Sequence, residues 1–112
     1  MFFKKTKFYQ RLNNNWNAEP NAPSPIITID YHDVYLEFHL NHFVYEQFEE
    51  DQKGILAFRD VHKLSFNSMN DEGYYMGQYR YSNEKLKHYI FFFRDNTFEC
   101  VAKSFEFQIQ PT

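Results

Sequence analysis

The feature that most constrains the fold is an alternation of apolar and polar side chains that begins at Ile26 and recurs along the chain. Successive side chains of a β-strand point to opposite faces of a sheet, so this period predicts strands with one buried face and one solvated face. In the runs 34–40 and 105–109 every second residue is apolar. Residues 26–110 are therefore expected to form a half-buried pleated sheet.

Turn residues divide this region into six or seven short antiparallel strands. The runs are residues 26–31, 34–40, 56–66, 74–81, 88–94, 97–102 and 105–109. The third run changes phase near Asp60, which is typical of a β-bulge. A two-residue turn is expected at Asp95 and Asn96. The predicted fold class is mainly β (β-rich α+β): a curved sheet, sandwich or partial barrel with one or two short helices.

The 112 residues fit a single domain, residues 1–112, with two parts. Residues 1–25 form an N-terminal basic segment followed by an Asn- and Pro-rich loop, which Trp16 is expected to anchor to the β-rich body, residues 26–110. One short helix is expected within residues 2–12. A second helix, or an ordered loop, is expected at residues 42–53, begun by Asn41 and ended by Gly54.

The composition predicts an interior made chiefly of rings, because the chain contains 14 Phe and nine Tyr. The net charge of -3 is uneven: residues 1–12 carry four basic and no acidic side chains, and the remainder carries all 15 acidic residues. An acidic body repels phosphate backbones, so no nucleic-acid partner is expected. No apolar run has transmembrane length, and the single cysteine allows no disulfide within the chain. We therefore expect a cytoplasmic protein that is not bound to a membrane.

The residues that carry chemistry form no recognisable catalytic or cofactor motif. Three glycines are too few and too scattered for a phosphate-binding loop or a dinucleotide fingerprint, so no cofactor is expected. Three histidines and two aspartates lie close together in sequence: Asp30, His32, Asp33, His39 and His42. Their spacing does not place them on one face of a strand, so no metal site is predicted. Cys100 alternates with Phe98 and is expected to be a buried structural thiol rather than a nucleophile.

Two groups of side chains are candidates for partner binding. The first is acidic and consists of Glu46, Glu49, Glu50 and Asp51, with Asp71 and Glu72 in a separate loop. Such carboxylates can steer a basic partner towards the surface, although charge runs commonly serve solubility. The second is the row Tyr75, Tyr79 and Tyr81, on one face of a tyrosine-rich strand. These tyrosines line either a core or an interface, where Tyr is enriched.

The strand pattern resembles the small β-rich immunity proteins that are encoded beside bacterial polymorphic toxins. The resemblance rests on IITIDYHDVYLEFHLN (26–41), GILAFRDVHKLSF (54–66) and FECVAKSFEFQI (98–109). It covers about three-quarters of the chain and consists of strands rather than of chemical motifs. It implies a cytoplasmic inhibitor that binds and neutralises a toxin.

Three functions remain open. The first is a non-enzymatic protein-binding module, of the immunity type or an adaptor. The second is a small-molecule carrier, which requires a deep pocket lined by Phe and Tyr. The third is an enzyme assembled from distant residues, such as His88 or His62 with Glu99, which requires titratable groups that converge in a cleft.

Overall fold

The structure is a computed structural model that describes residues 11–67, 86–94 and 96–111. These residues form five β-strands in one open antiparallel sheet of order β1-β2-β3-β5-β4. The strands are β1 (Ile26–Asp30), β2 (Asp33–His39), β3 (Lys53–Asn67), β4 (Lys87–Phe92) and β5 (Thr97–Ile109). The predicted mainly β, antiparallel architecture is confirmed.

The described residues contain five strands, because the last two of the seven predicted runs form one strand and a further run is not described. β5 passes through residues 103 and 104 without a break, and β3 likewise passes through its predicted phase change. The tyrosine-rich run 74–81 lies outside the described residues. The sheet is open, so it forms neither a sandwich nor a closed barrel within this part of the chain.

No helix occurs among the described residues, and none therefore has the length and apolarity that crossing a bilayer requires. Residues 42–52 form an ordered loop, which was the second of the two predictions for this region. The helix predicted within residues 2–12 lies mostly outside the described residues, and Arg11 and Leu12 are not helical.

Two hairpins follow the sequence closely. β1 and β2 are joined by Tyr31 and His32, one residue before the turn that the sequence predicts near His32 and Asp33. The second hairpin turns one residue earlier than predicted, because the Phe93 N–H donates to the Asn96 carbonyl across the turn (2.8 Å). Asp95 itself lies outside the described residues.

The predicted irregularity at Asp60 is confirmed, and it bends the sheet. The register between β3 and β5 shifts by one residue between Val61 and Lys63, and Asp60 has a φ of 54°. A straight strand would separate Phe98 and Phe105 by about 23 Å. Both rings nevertheless lie beside Phe58, at centroid distances of 5.2 and 6.1 Å. The bend thus folds the two halves of the long strands around one aromatic core.

Two hydrogen bonds to residues of the first hairpin hold this bend. The His32 carbonyl accepts a hydrogen bond from the Val61 N–H at 2.7 Å. The Asp33 Oδ1 accepts one from the Asp60 N–H at 3.1 Å. These bonds satisfy backbone donors that the irregular ladder would leave without partners.

Arg59 holds Asp33, which accepts the hydrogen bond from the Asp60 N–H, in position. Its guanidinium donates to Asp33 (3.2 Å), to the Tyr35 hydroxyl (2.9 Å) and to Glu106 (2.9 Å), and so joins β2, β3 and β5 on the outer face. The bonds to Glu106, Tyr35 and Asp33, in that order, raise the pKa of Arg59. This side chain therefore stays charged and holds Asp33 in place beneath the bend.

Trp16 closes the inner face of the sheet, as predicted. Its ring stacks on Phe107 at 4.2 Å and 1° and contacts Phe38 and Phe91 at 5.6 and 5.5 Å. Phe38 in β2 and Phe91 in β4 are three strands apart, which corresponds to about 14 Å in a flat sheet. Their ring centroids are only 5.2 Å apart, so the sheet is strongly curved towards Trp16.

Gly54 provides the space for these rings. A Cβ atom at this position would lie 2.9 Å from Phe107 Cε1 and 3.1 Å from Phe38 Cζ. Contacts shorter than about 3.4 Å require the rings to move, and both rings are in contact with Trp16. A side chain at position 54 would therefore disturb the whole cluster.

Cys100 lies in the core on the same face as Phe98, as predicted. Burial raises the pKa of its thiol well above the ordinary value. The cross-strand neighbour Tyr89 also has a raised pKa, first because of burial and second because of the nearby Cys100. Both groups are thus held in their neutral forms.

We expect Gly54→Ala to lower the free energy of unfolding by about 1–3 kcal/mol, the usual cost of an overpacked core. Urea denaturation followed by circular dichroism measures this change. Combining it with Phe107→Leu, which replaces the closest ring, should cost less than the sum of the two single changes. Additive losses would show that the Phe107 contact is not the cause.

We expect stability to be independent of the Cys100 thiol below pH 9 and to fall above it. The unfolded thiol ionises near its ordinary pKa of 9.0, whereas the folded thiol keeps its proton, so alkali favours the unfolded state. This group contributes a slope of at most about 1.4 kcal/mol per pH unit. Urea denaturation at several pH values measures the fall, which Cys100→Ala should make shallower. Parallel profiles for the two proteins would contradict the assignment.

Candidate functional site

The loop between β2 and β3, residues 41–52, is referred to below as the acidic loop. It begins with a capped turn: Asn41 Oδ1 accepts hydrogen bonds from the Phe43 and Val44 N–H groups at 3.1 and 3.2 Å. The Tyr45 N–H then donates to the Asn41 carbonyl at 3.2 Å. Asn41 therefore caps a single turn, and no helix continues from it. A helix would have faced Val44 and Phe48 the same way, but only Phe48 enters the core.

The acidic loop is held at its base and against the N-terminal segment. The Leu40 N–H donates to the Gln52 carbonyl at 2.9 Å, which closes the loop. The Gln52 side chain accepts the Glu49 N–H at 3.0 Å, next to Asp51, whose φ is 67°. Gln47 Nε2 donates to the Asn15 carbonyl at 3.1 Å. These bonds fix the shape of the loop and the direction in which its tip points.

Two apolar side chains project from the tip of the acidic loop. Phe43 is 73% exposed and Val44 is 64% exposed. The His42 ring lies 4.1 Å from the Phe43 ring, which restricts the rotation of Phe43. An ordered loop thus holds an aromatic and a branched side chain in water.

Four carboxylates follow this apolar pair along the acidic loop. Glu46, Glu49, Glu50 and Asp51 are all exposed, and residues 41–52 contain no Lys or Arg. The next cation, Lys53, forms an ion pair with Glu37 at 3.5 Å. Four of the acidic residues predicted from the sequence therefore lie together on one loop. The other predicted partner-binding residues, Asp71, Glu72, Tyr75, Tyr79 and Tyr81, lie outside the described residues.

Sequence reasoning did not identify Phe43 or Val44 as exposed side chains. The signal that could have identified them is Asn41: a capping residue followed by charges at 46, 49, 50 and 51 leaves no apolar stripe wide enough for a packed helix. A single turn exposes the residues just after its cap. The apolar tip follows from that geometry.

A second candidate site is an aromatic pocket beneath the edge strand β4. Its volume is about 470 Å³, and one side is formed by residues 11–13. The other residues that line it are Trp16, Leu56, Phe58, His88, Tyr89, Ile90, Phe91 and Phe92. Its walls are therefore mostly rings and aliphatic side chains, a surface that suits an apolar ligand.

The two histidines that the sequence offered for catalysis, His62 and His88, each lie beside a carboxylate. His88 Nε2 lies 2.8 Å from Glu99 Oε1, which is one of the two pairings proposed from the sequence. His62 instead lies 3.6 Å from Asp60, and its buried Nε2 makes no hydrogen bond. Within the described part of the chain, no three His, Cys, Asp or Glu residues are placed to bind a metal ion. His32 occupies the first turn, and His42 contacts Phe43.

Comparison with known proteins yields no significant match among protein-family models, curated sequences or solved structures. The resemblance to immunity proteins therefore rests on the strand pattern alone. The acidic loop and the aromatic pocket are the two features from which a function can be argued.

Proposed function

We propose that the chain is a non-enzymatic protein-binding module that acts in the cytoplasm and binds a basic partner through the acidic loop. The observation that carries this proposal is the exposure of Phe43 and Val44 at the tip of an ordered, acidic loop. The strand pattern of the chain resembles that of immunity proteins. This resemblance supports a toxin as the partner, which the chain neutralises by binding it.

The arrangement of the loop matches the anatomy of a protein interface. Interfaces bury aromatic and aliphatic anchors at their centre and place charged groups at a rim that stays partly wet. Phe43 and Val44 supply the anchors, and the four carboxylates supply the rim. Hydrogen bonds already order the loop, so less conformational entropy is lost when a partner binds.

The charge of the loop defines the complementary surface. Four carboxylates without a neighbouring free cation on the loop attract a basic surface and accelerate its approach at low salt. A toxin that acts on nucleic acid carries such a surface, because it binds phosphates. The proposed partner therefore presents basic residues around a small apolar pocket that receives Phe43.

We expect Phe43→Ala to reduce the affinity for the partner about thirtyfold or more, because truncating an aromatic hot spot typically costs at least 2 kcal/mol of binding energy. The immobilised chain would be incubated with extract of its native cell, and the captured proteins quantified by mass spectrometry. The matched control is Phe92→Ala, since Phe92 is 70% exposed and lies in β4. Equal losses with the two variants, or none with Phe43→Ala, would overturn the role of the loop.

The immunity role has its own test. Co-expression of the chain with a toxin encoded beside it should restore growth, and Phe43→Ala should reduce this protection. Full protection by Phe43→Ala, or no protection by the native chain, would count against the immunity role.

The aromatic pocket favours a second function, that of a small-molecule carrier. Its volume and its Trp16, Phe58 and Tyr89 walls fit an apolar ring compound of modest size. This function needs no enzyme chemistry and uses a different surface from the acidic loop.

We expect a ligand in this pocket to change the fluorescence of Trp16, which is the only tryptophan of the chain. Titration with 1-anilinonaphthalene-8-sulfonate as the probe should give a saturable change at one site. Phe58→Leu would enlarge the pocket and weaken the binding, whereas Phe43→Ala, outside the pocket, should leave it unchanged. A response that does not saturate, or one that Phe43→Ala alters equally, would exclude this pocket.

A further inference from the structure

Among the residues that the structure describes, β1 lies at an edge of the sheet and pairs with β2 alone. Four of its five residues are exposed, and Ile29 is 51% exposed. An edge strand carries backbone N–H and C=O groups that can pair with another strand. Proteins usually block such an edge with lysine, an internal proline or a bulge, and β1 (IITID) contains none of these.

The first hairpin shows which backbone groups of β1 point outward. Asp30 and Asp33 are paired across a two-residue turn and so form the hydrogen-bonded pair that closes it. Hydrogen-bonded and non-hydrogen-bonded pairs alternate along antiparallel strands, so Ile26 and Thr28 also bond to β2. Ile27 and Ile29 consequently direct their N–H and C=O groups away from the sheet.

We propose that this edge binds a second copy of the chain, antiparallel and centred on Thr28. In this register Ile27 of one copy faces Ile29 of the other, so the outward groups of both residues form hydrogen-bonded pairs. It is the register that pairs all five residues of β1 with β1 of the second copy. The edge is thus complementary to itself, as an isologous interface with twofold symmetry requires.

The side chains extend this complementarity beyond the strand. On the face that carries Ile27 and Ile29, the next cross-strand pair joins Tyr31 of one copy to Pro25 of the other. Tyr31 is 89% exposed and has a φ of 58°, a left-handed conformation that is unfavourable for a large side chain. Pairing would give this exposed ring a partner and join the five described strands of each copy into one continuous sheet.

Thr28→Glu tests the register. Residues on the twofold axis face each other directly, so two carboxylates would oppose pairing, whereas Thr28→Gln adds similar bulk without charge. Sedimentation velocity from ~10 µM to ~1 mM covers the weak association expected of so small an interface. The native chain and Thr28→Gln should dimerise with increasing concentration, and Thr28→Glu should remain monomeric.

A mixture provides the decisive measurement. Equimolar Thr28→Lys and Thr28→Glu should form a heterodimer, because opposite charges then face each other on the axis. Circular dichroism verifies that each variant is folded, which is expected because Thr28 is exposed. A native chain that stays monomeric throughout, a Thr28→Glu variant that dimerises like the native chain, or a mixture that does not associate would each overturn the proposal.

Discussion

The stacking of Trp16 on Phe107 is the interaction on which the rest of the structure depends. A single sheet has one face that must be covered, and the described chain contains no helix to cover it. The sheet instead curves until the rings of β2 and β4 meet, and Trp16 from the N-terminal segment fills the remaining opening.

The curvature has a second origin in the bend at Asp60. The left-handed residue and the adjacent bulge would weaken the ladder if their backbone groups had no other partners. The first hairpin supplies those partners through His32 and Asp33, and Arg59 holds Asp33 in position. The network of Arg59 with Asp33, Tyr35 and Glu106 on the outer face therefore stabilises the bend that curves the sheet.

Alternation in the sequence predicted the strands well, because an apolar residue at every second position determines which face of the strand packs against the core. It predicted the bend near Asp60 from the change of phase, and the anchoring role of Trp16 from its place in an Asn- and Pro-rich loop. It divided β5 into two strands, since a change of phase looks the same whether a strand ends or bends. Of the site, the acidic residues 46, 49, 50 and 51 were identifiable from charge alone. The exposure of Phe43 was missed, because the chain leaves the helical path after one turn, where Phe48 enters the core and Gln47 binds the Asn15 carbonyl.

The contact between Trp16 and Phe107 also has a consequence for how the protein is made. The two residues are 91 positions apart in the sequence, so their meeting closes a long loop. During synthesis β2 and β3 leave the ribosome well before Phe107, and until then their apolar side chains lack the rings that cover them. Contacts between residues so distant in sequence slow folding. The apolar surfaces, which are prone to aggregation, therefore stay exposed for longer. Early protection of the nascent sheet, by a chaperone or by a bound partner, would therefore matter most for the yield of this protein.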